Sequence, residues 1–261
     1  MLAATLLRCR HAQSNPSMRL HTSAMYLTLW SFLDTPSPSA YNYAQNVSEQ
    51  EPLAMKKVRQ AAIAQDPTEA QKMISPLQGV FLSHLVRSQG ARHILELGCY
   101  KGYSALWLAH GLRSQTKGNP QLWTCERDLD VTAIAKQNII DSGYADIVQV
   151  LSQPADEVLQ GWNAEQKLDM VFIDANKTAY KKYYNLILER DLLKENGQII
   201  VDNVLFHGQV HGLDQDGKTG RKKTIAQKLN DFNKHVADDK RTTQTLLPLF
   251  DGLLLIQKNK H

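Results

Sequence analysis

From Arg92 onward, short apolar runs alternate with segments of helical period. "HILELG", "QLWTCE", "DIVQVL", "LDMVFID" and "QIIVDN" are rich in branched and large aliphatic side chains and predict strands. Between them, "GYSALWLAHGL", "DLDVTAIAKQNIIDSG", "PADEVLQGW" and "TAYKKYYNLILERDLL" predict helices, the last closed by "KENG". Strands separated by helices mean βαβ units and a parallel sheet. A polar loop, Gly208 to Lys223, then leads to a predicted helix "TIAQKLNDFNKHVADD". The runs "TTQTLLPLF" and "GLLLIQK" flank Asp251-Gly252, which is a hairpin signal. The pattern predicts an α/β fold with five parallel strands, a C-terminal antiparallel pair at one edge, and helices on both faces.

Upstream, a helix is expected from about Ser48, read as its N-cap, to Gln65. "SPLQGVFLSHLVRSQG" opens with Ser75 as N-cap and Pro76 at the first helical position, and stops at Gly90. Leu77, Phe81, Leu82 and Leu85 fall on one face of it. "DTPSPSAYN" is rich in Pro and Ser, so residues 34–47 read as a linker to a domain spanning 48–261.

Composition changes this picture little. Hydrophobic residues make up 43% and charged residues 21% of 261, an ordinary globular balance. The net charge is +4, but Arg8, Arg10 and Arg19 account for all but +1 of it. The excess is a property of the first 33 residues, so no nucleic-acid partner is expected. No apolar run approaches the roughly 20 residues of a membrane helix, so no membrane partner is expected either. Cys9, Cys99 and Cys125 lack the paired spacing of a disulfide framework or zinc knuckle. Residues 1–33 bear Arg, Ser and Thr but no acid, the composition of a mitochondrial transit peptide. A disordered extension, or a start at Met25, fits the same segment and implies a cytoplasmic location.

In an open parallel sheet, ligands bind at the carboxyl ends of the strands. Four acids gather there: Glu96, Glu126, Asp174 and Asp202. Gly98 and Gly102 allow a tight turn and close approach of a ligand, and Ser104 is suited to cap the helix that follows. Glu126 stands 28 residues after Gly98, where an acid can accept both hydroxyls of a ribose. The loop reads G-C-Y-K-G-Y rather than G-x-G-x-x-G, so it suits a nucleoside cofactor without a pyrophosphate, namely S-adenosylmethionine. A plain strand-to-helix turn would need the same glycines. Asp174, Asp202 and Asn203 are hard oxygen ligands suited to Mg²⁺, Mn²⁺ or Ca²⁺. Lys177, three residues beyond Asp174, is placed to act as a base.

These stretches together resemble the cation-dependent class I O-methyltransferases, the caffeoyl-coenzyme A and catechol group. The matching motifs are "SPLQG", "ILELGCYKGYSALWLA", "TCERD", "VFIDANKTAY", "IIVDNVLFHGQV" and "LLPLFDGLLLI", in family order from about Ile74 to Lys258. The resemblance implies a doubly wound, Rossmann-like seven-stranded sheet whose last strand is inserted antiparallel. It implies Ile74, Glu96, Gly98, Cys99, Ser104, Glu126, Ala155, Asp174 and Asn176 around S-adenosylmethionine. It implies Asp174, Asp202 and Asn203 around a divalent cation, Mg²⁺ foremost, with Lys177 as the catalytic lysine. A homodimer is expected on the same ground alone. Most relatives read D-A-D-K where this chain has Asp174-Ala175-Asn176-Lys177, so one charge is missing near the cofactor's amino group or the metal.

The implied reaction moves a methyl group from S-adenosylmethionine to a hydroxyl of a catechol-type or caffeoyl-type small molecule. His207 and Tyr180 are candidate substrate contacts, with Tyr183 and Tyr184 as further candidates for a pocket wall. "DQDGKTGRKK", Asp214 to Lys223, is a candidate mobile gate. The competing readings are a weakened cofactor-binding relic of the fold and a nicotinamide-dependent oxidoreductase.

Overall fold

The computed structural model describes residues 38–115, 119–211 and 221–259. Seven strands form one sheet: β1 (His93–Leu97), β2 (Gln121–Cys125), β3 (Val148–Leu151), β4 (Leu168–Ile173), β5 (Leu193–Val201), β6 (Thr242–Leu247) and β7 (Leu253–Lys258). Their order is β3-β2-β1-β4-β5-β7-β6. The pairs among β1 to β5 are parallel, and β7 runs antiparallel to both β5 and β6. β6 therefore points the same way as the first five strands, and β7, slotted between β5 and β6, is the single reversed strand.

Alternation along the central strands decides what each face buries. Leu95, Leu97, Val171, Ile173, Ile199 and Val201 meet α6 (Ala155–Gly161), α7 (Tyr180–Glu189) and α8 (Arg221–Asp238). Ile94, Met170, Phe172 and Ile200 meet the other layer. That layer holds α2 (Leu53–Gln65), α3 (Pro76–Gln89), α4 (Tyr103–Arg113) and α5 (Leu129–Asp141). Both faces are covered, which is why β1, β4 and the end of β5 are apolar nearly throughout. Among the described residues no helix is long and apolar enough to cross a membrane.

Several local expectations change. Residues 38–47, read as linker, form helix α1 (Pro38–Val47), which opens on proline, a residue tolerated at a first helical position. Ser48 caps no following helix: its hydroxyl donates back to the Ala44 carbonyl at 2.6 Å. α2 begins five residues later, after Pro52, whose ψ of 142° is extended. α3 keeps its predicted caps: Ser75 Oγ accepts from Gln78 N–H, and Gly90 takes a left-handed φ of 62°. Its buried face, however, is Gln78, Gly79, Leu82, Ser83 and Val86, one residue round from the expected stripe. Gly79 lies so close to Trp107 that any side chain there would collide with the indole. "KENG" belongs to β5 rather than to a helix end, and it bulges out of register between the pairs Leu168–Leu193 and Met170–Gln198. α8 starts at Arg221 rather than Thr224. The proposed transit segment 1–33, Cys9, and Asp214 to Gly220 of the proposed gate lie outside the described residues.

Candidate active site

Strand order reverses between β1 and β4, because β2 and β3 lie to one side of β1 and β5 to the other. The crevice at such a reversal is where this sheet type takes ligands. Gly98 sits there with φ of 92°, and a Cβ on it would lie 2.4 Å from the Asp174 carbonyl oxygen. Both the backbone angle and the close approach require glycine. Gly98→Ala is expected to cost at least about 1–3 kcal/mol of stability through the strained φ alone. Denaturant unfolding measures it, and an unchanged midpoint would show that the turn relaxes freely.

Glu96 is fully buried on β1 and paired in register with Thr124 of β2, whose hydroxyl donates to Glu96 Oε2. Burial pushes its pKa up to about 7, while the Ser104 and Thr124 hydroxyls act against the rise. Glu96 Oε1 makes no hydrogen bond among the described residues. A buried acceptor without a donor is costly unless something else supplies one. Ser104 is not the helix cap. That place belongs to Gly102 at φ of 88°, and Ser104 is buried in the first turn of α4. Glu126 follows β2, half-buried, with Oε1 accepting from Asp128 N–H at 3.0 Å. Ile74 and Ala155 are buried at the starts of α3 and α6. Cys99 and Cys125 are buried too, and burial pushes the Cys125 thiol up to about 12 and that of Cys99 higher than usual. They act as small apolar residues.

Beyond the switch, Asp174 ends β4 and Asp202-Asn203 end β5, and Asp174 N–H and Asp202 N–H donate to Leu97 and Ile173 carbonyls. Asp202 is 2% exposed. Burial, then the nearby Asp174 charge, raises its carboxyl to about 7, with Gln78 and the Asn203 N–H opposing. Asp174 is raised as well, chiefly by burial, with Lys177 pulling it down. Lys177 Nζ stands 3.4 Å from Asp174 Oδ1 at the rim. Two largely buried carboxylates at neighbouring strand ends, with one lysine beside Asp174, are a site short of positive charge. The donor set of two carboxylates and one amide oxygen fits a hard divalent cation. Among the described residues no three His, Cys, Asp or Glu side chains converge as a metal cage.

Two residues at this site escaped the sequence reading. Gln78, 4% exposed in the first turn of α3, is buried with its amide Nε2 unpartnered among the described residues. Asp251, in the β6–β7 turn, accepts from Asn203 Nδ2 at 3.2 Å. Asp251 read as an ordinary turn acid, and its partner is 48 residues away. Asn176 caps the single 3₁₀ turn Lys177–Ala179, its Oδ1 accepting from the Thr178 N–H and hydroxyl. The candidate pocket wall is relocated: Tyr180 is fully buried against Phe232, ring centroids 5.8 Å apart, and Tyr183 and Tyr184 pack in the same layer. The tyrosines fill the helical face because the 3.6-residue period turns them inward. His207 is on the exposed loop after β5, its Nδ1 3.9 Å from Asp251 Oδ2.

Residues 45–259 match the family model described as O-methyltransferase. The chain belongs to the O-methyltransferase family. It is an enzyme of the class I, S-adenosylmethionine-dependent branch, which sets aside the nicotinamide reading. It is 32% identical over 189 residues to a catechol O-methyltransferase of Niastella koreensis, covering 70% of this chain and 80% of that one. A caffeoyl-CoA O-methyltransferase of Populus kitakamiensis is 25% identical over 238 residues, covering 90% and 99%. Among solved structures, the Podospora anserina methyltransferase PaMTH1, bound to S-adenosylhomocysteine, superposes with a TM-score of 0.78 at 29% identity, over 87% of this chain and 98% of that one.

Proposed function

We propose that this O-methyltransferase is cation-dependent and methylates one oxygen of a small phenolic acceptor carrying two adjacent oxygens. The carrying observation is the pairing of Asp174 with the buried Asp202 at neighbouring strand ends, beside the Gly98 crevice. The family likeness to catechol and caffeoyl-CoA enzymes supports the acceptor class.

Asp174, Asp202 and Asn203 would hold the cation, which, when bound, supplies Lewis-acid stabilisation of an ionised hydroxyl. Lys177 Nζ, 3.4 Å from Asp174 Oδ1, is the group placed to take the hydroxyl proton at the rim. S-adenosylmethionine, when bound, would supply the methyl group to that oxygen and leave as a neutral thioether. Such a proton transfer is typically worth about 10²–10⁴-fold. Glu126 accepts from the ribose hydroxyls, and its Asp128 contact keeps the carboxylate in place. The Gly98 turn brings backbone close to the cofactor. The remaining requirement is alignment of oxygen, methyl carbon and sulfur.

The test is a screen of catechols, flavonoids and caffeoyl-coenzyme A with S-adenosylmethionine and Mg²⁺, read by mass spectrometry. Methylated diols are expected, with monophenols inert. Equal turnover of monophenols would remove the two-oxygen requirement. Glu126→Ala is expected to raise the Michaelis constant for S-adenosylmethionine about 10-fold or more, since it removes a charged acceptor. Initial-rate kinetics check it: a change confined to the acceptor's constant would mean that Glu126 does not serve the ribose.

A further inference from the structure

We propose that Asp251 is a positioning residue that orients Asn203 toward the cation site. The proposal rests on the reading of Asp174, Asp202 and Asn203 as cation ligands. An amide side chain has two ends of similar shape, and only one of them binds a cation. Asn203 Nδ2 donates to Asp251 Oδ2 at 3.2 Å. An ionised carboxylate only accepts, so it holds the NH₂ end and turns Oδ1 the other way. The backbone is set by the same group of contacts. Asn203 N–H donates to Asp202 Oδ1 at 2.8 Å, and His207 N–H donates to Asp251 Oδ1 at 2.5 Å. A single carboxylate therefore ties both ends of the loop that follows β5.

That loop does not hold its shape unaided. Asn203, Phe206 and His207 have φ of 58°, 47° and 55°, a region non-glycine residues avoid. Strain of this kind persists only where neighbours over-determine it. Val204 N–H donates to Gly252 O and Leu205 N–H to Asp251 O, at 3.1 and 3.0 Å. A Cβ on Gly252 would lie 2.7 Å from Leu205 N, so the two segments touch backbone to backbone. The β6–β7 turn is thus the template for the loop, and Asp251 is the side chain that reads out on Asn203. Groups that orient a metal ligand typically change affinity 10–100-fold when lost.

The test measures Mn²⁺ binding to the full chain by electron paramagnetic resonance, without cofactor or acceptor. Asp251→Asn is expected to weaken Mn²⁺ binding about 10–100-fold. The exchange Asn203→Asp with Asp251→Asn reverses donor and acceptor at constant charge and is expected to recover most of the loss. S-adenosylhomocysteine affinity, measured on the same samples by calorimetry, should stay within about twofold, because the orienting contact lies on the cation side. An Asp251→Asn protein that binds Mn²⁺ like the wild type overturns the inference and leaves the cation reading standing. So does an exchange variant no better than the single one, or a parallel loss of S-adenosylhomocysteine binding. A wild type that binds no Mn²⁺ overturns the cation reading and this inference together.

Discussion

Lys177→Met is expected to retain cation and cofactor binding while losing about 10²-fold or more in kcat. Lys177 leaves β4 three residues after Asp174 and stays at its rim, with Nζ 3.4 Å from Asp174 Oδ1. Methionine keeps most of the apolar stem and removes the amine, so packing should change little. The 3₁₀ turn around it is capped by Asn176 and does not depend on the amine. If Lys177 takes the proton, the loss falls on kcat and spares the Michaelis constant for S-adenosylmethionine. If it merely orients a hydroxyl that ionises without help, the loss is small and shrinks as pH rises. A variant with near-normal kcat at neutral pH therefore removes Lys177 from the chemistry.

Removing the cation is expected to have the larger effect. Excess chelator should abolish methyl transfer, and Mg²⁺ or Mn²⁺ should restore it. Full turnover in chelator would refute cation dependence. The same site predicts how stability responds to pH. In the folded chain Asp202 is raised from 3.8, and Glu96 from 4.5, to about 7, first by burial. Each carboxyl then binds its proton more tightly folded than unfolded. Both contribute stability to the cation-free protein at low pH, and that contribution falls as pH rises from about 4 to 7. Thermal unfolding across this window should show the fall, reduced in Asp202→Asn. A divalent cation favours the ionised form, so it should stabilise most near pH 7 and little near pH 5. A melting temperature that does not move with Mn²⁺ at pH 7 would place the cation elsewhere.

Much of the architecture was legible because its signals are local. The branched runs of β1 to β5 and the capped helices between them follow from side-chain period and end chemistry, so the strand-end position of Asp174 and Asp202 could be read in advance. The corrections have local causes with distant decisions. Pro52 outranks Ser48 as a helix start because proline bars the preceding residue from helical geometry. α3 buries Gln78 and Gly79 rather than Leu77 and Phe81, since Trp107 of α4 admits only a hydrogen at Gly79.

The sequence by itself determined the alternation of strands and helices, the glycines of the β1 turn and the line of acids at the strand ends, because each depends on neighbours within a few residues. The tertiary structure alone decided which acids meet. Glu96 finds Thr124 across β1 and β2, and Asp174 and Asp202 follow the paired strand ends Ile173 and Val201 of β4 and β5. Asp251 reaches Asn203 only because β7 enters the sheet between β5 and β6. Parallel pairing over long crossovers, and a reversed strand inserted last, bring together residues with no shared local pattern. The pKa shifts follow from the same fact: a carboxylate becomes costly only when the packed chain takes away its water.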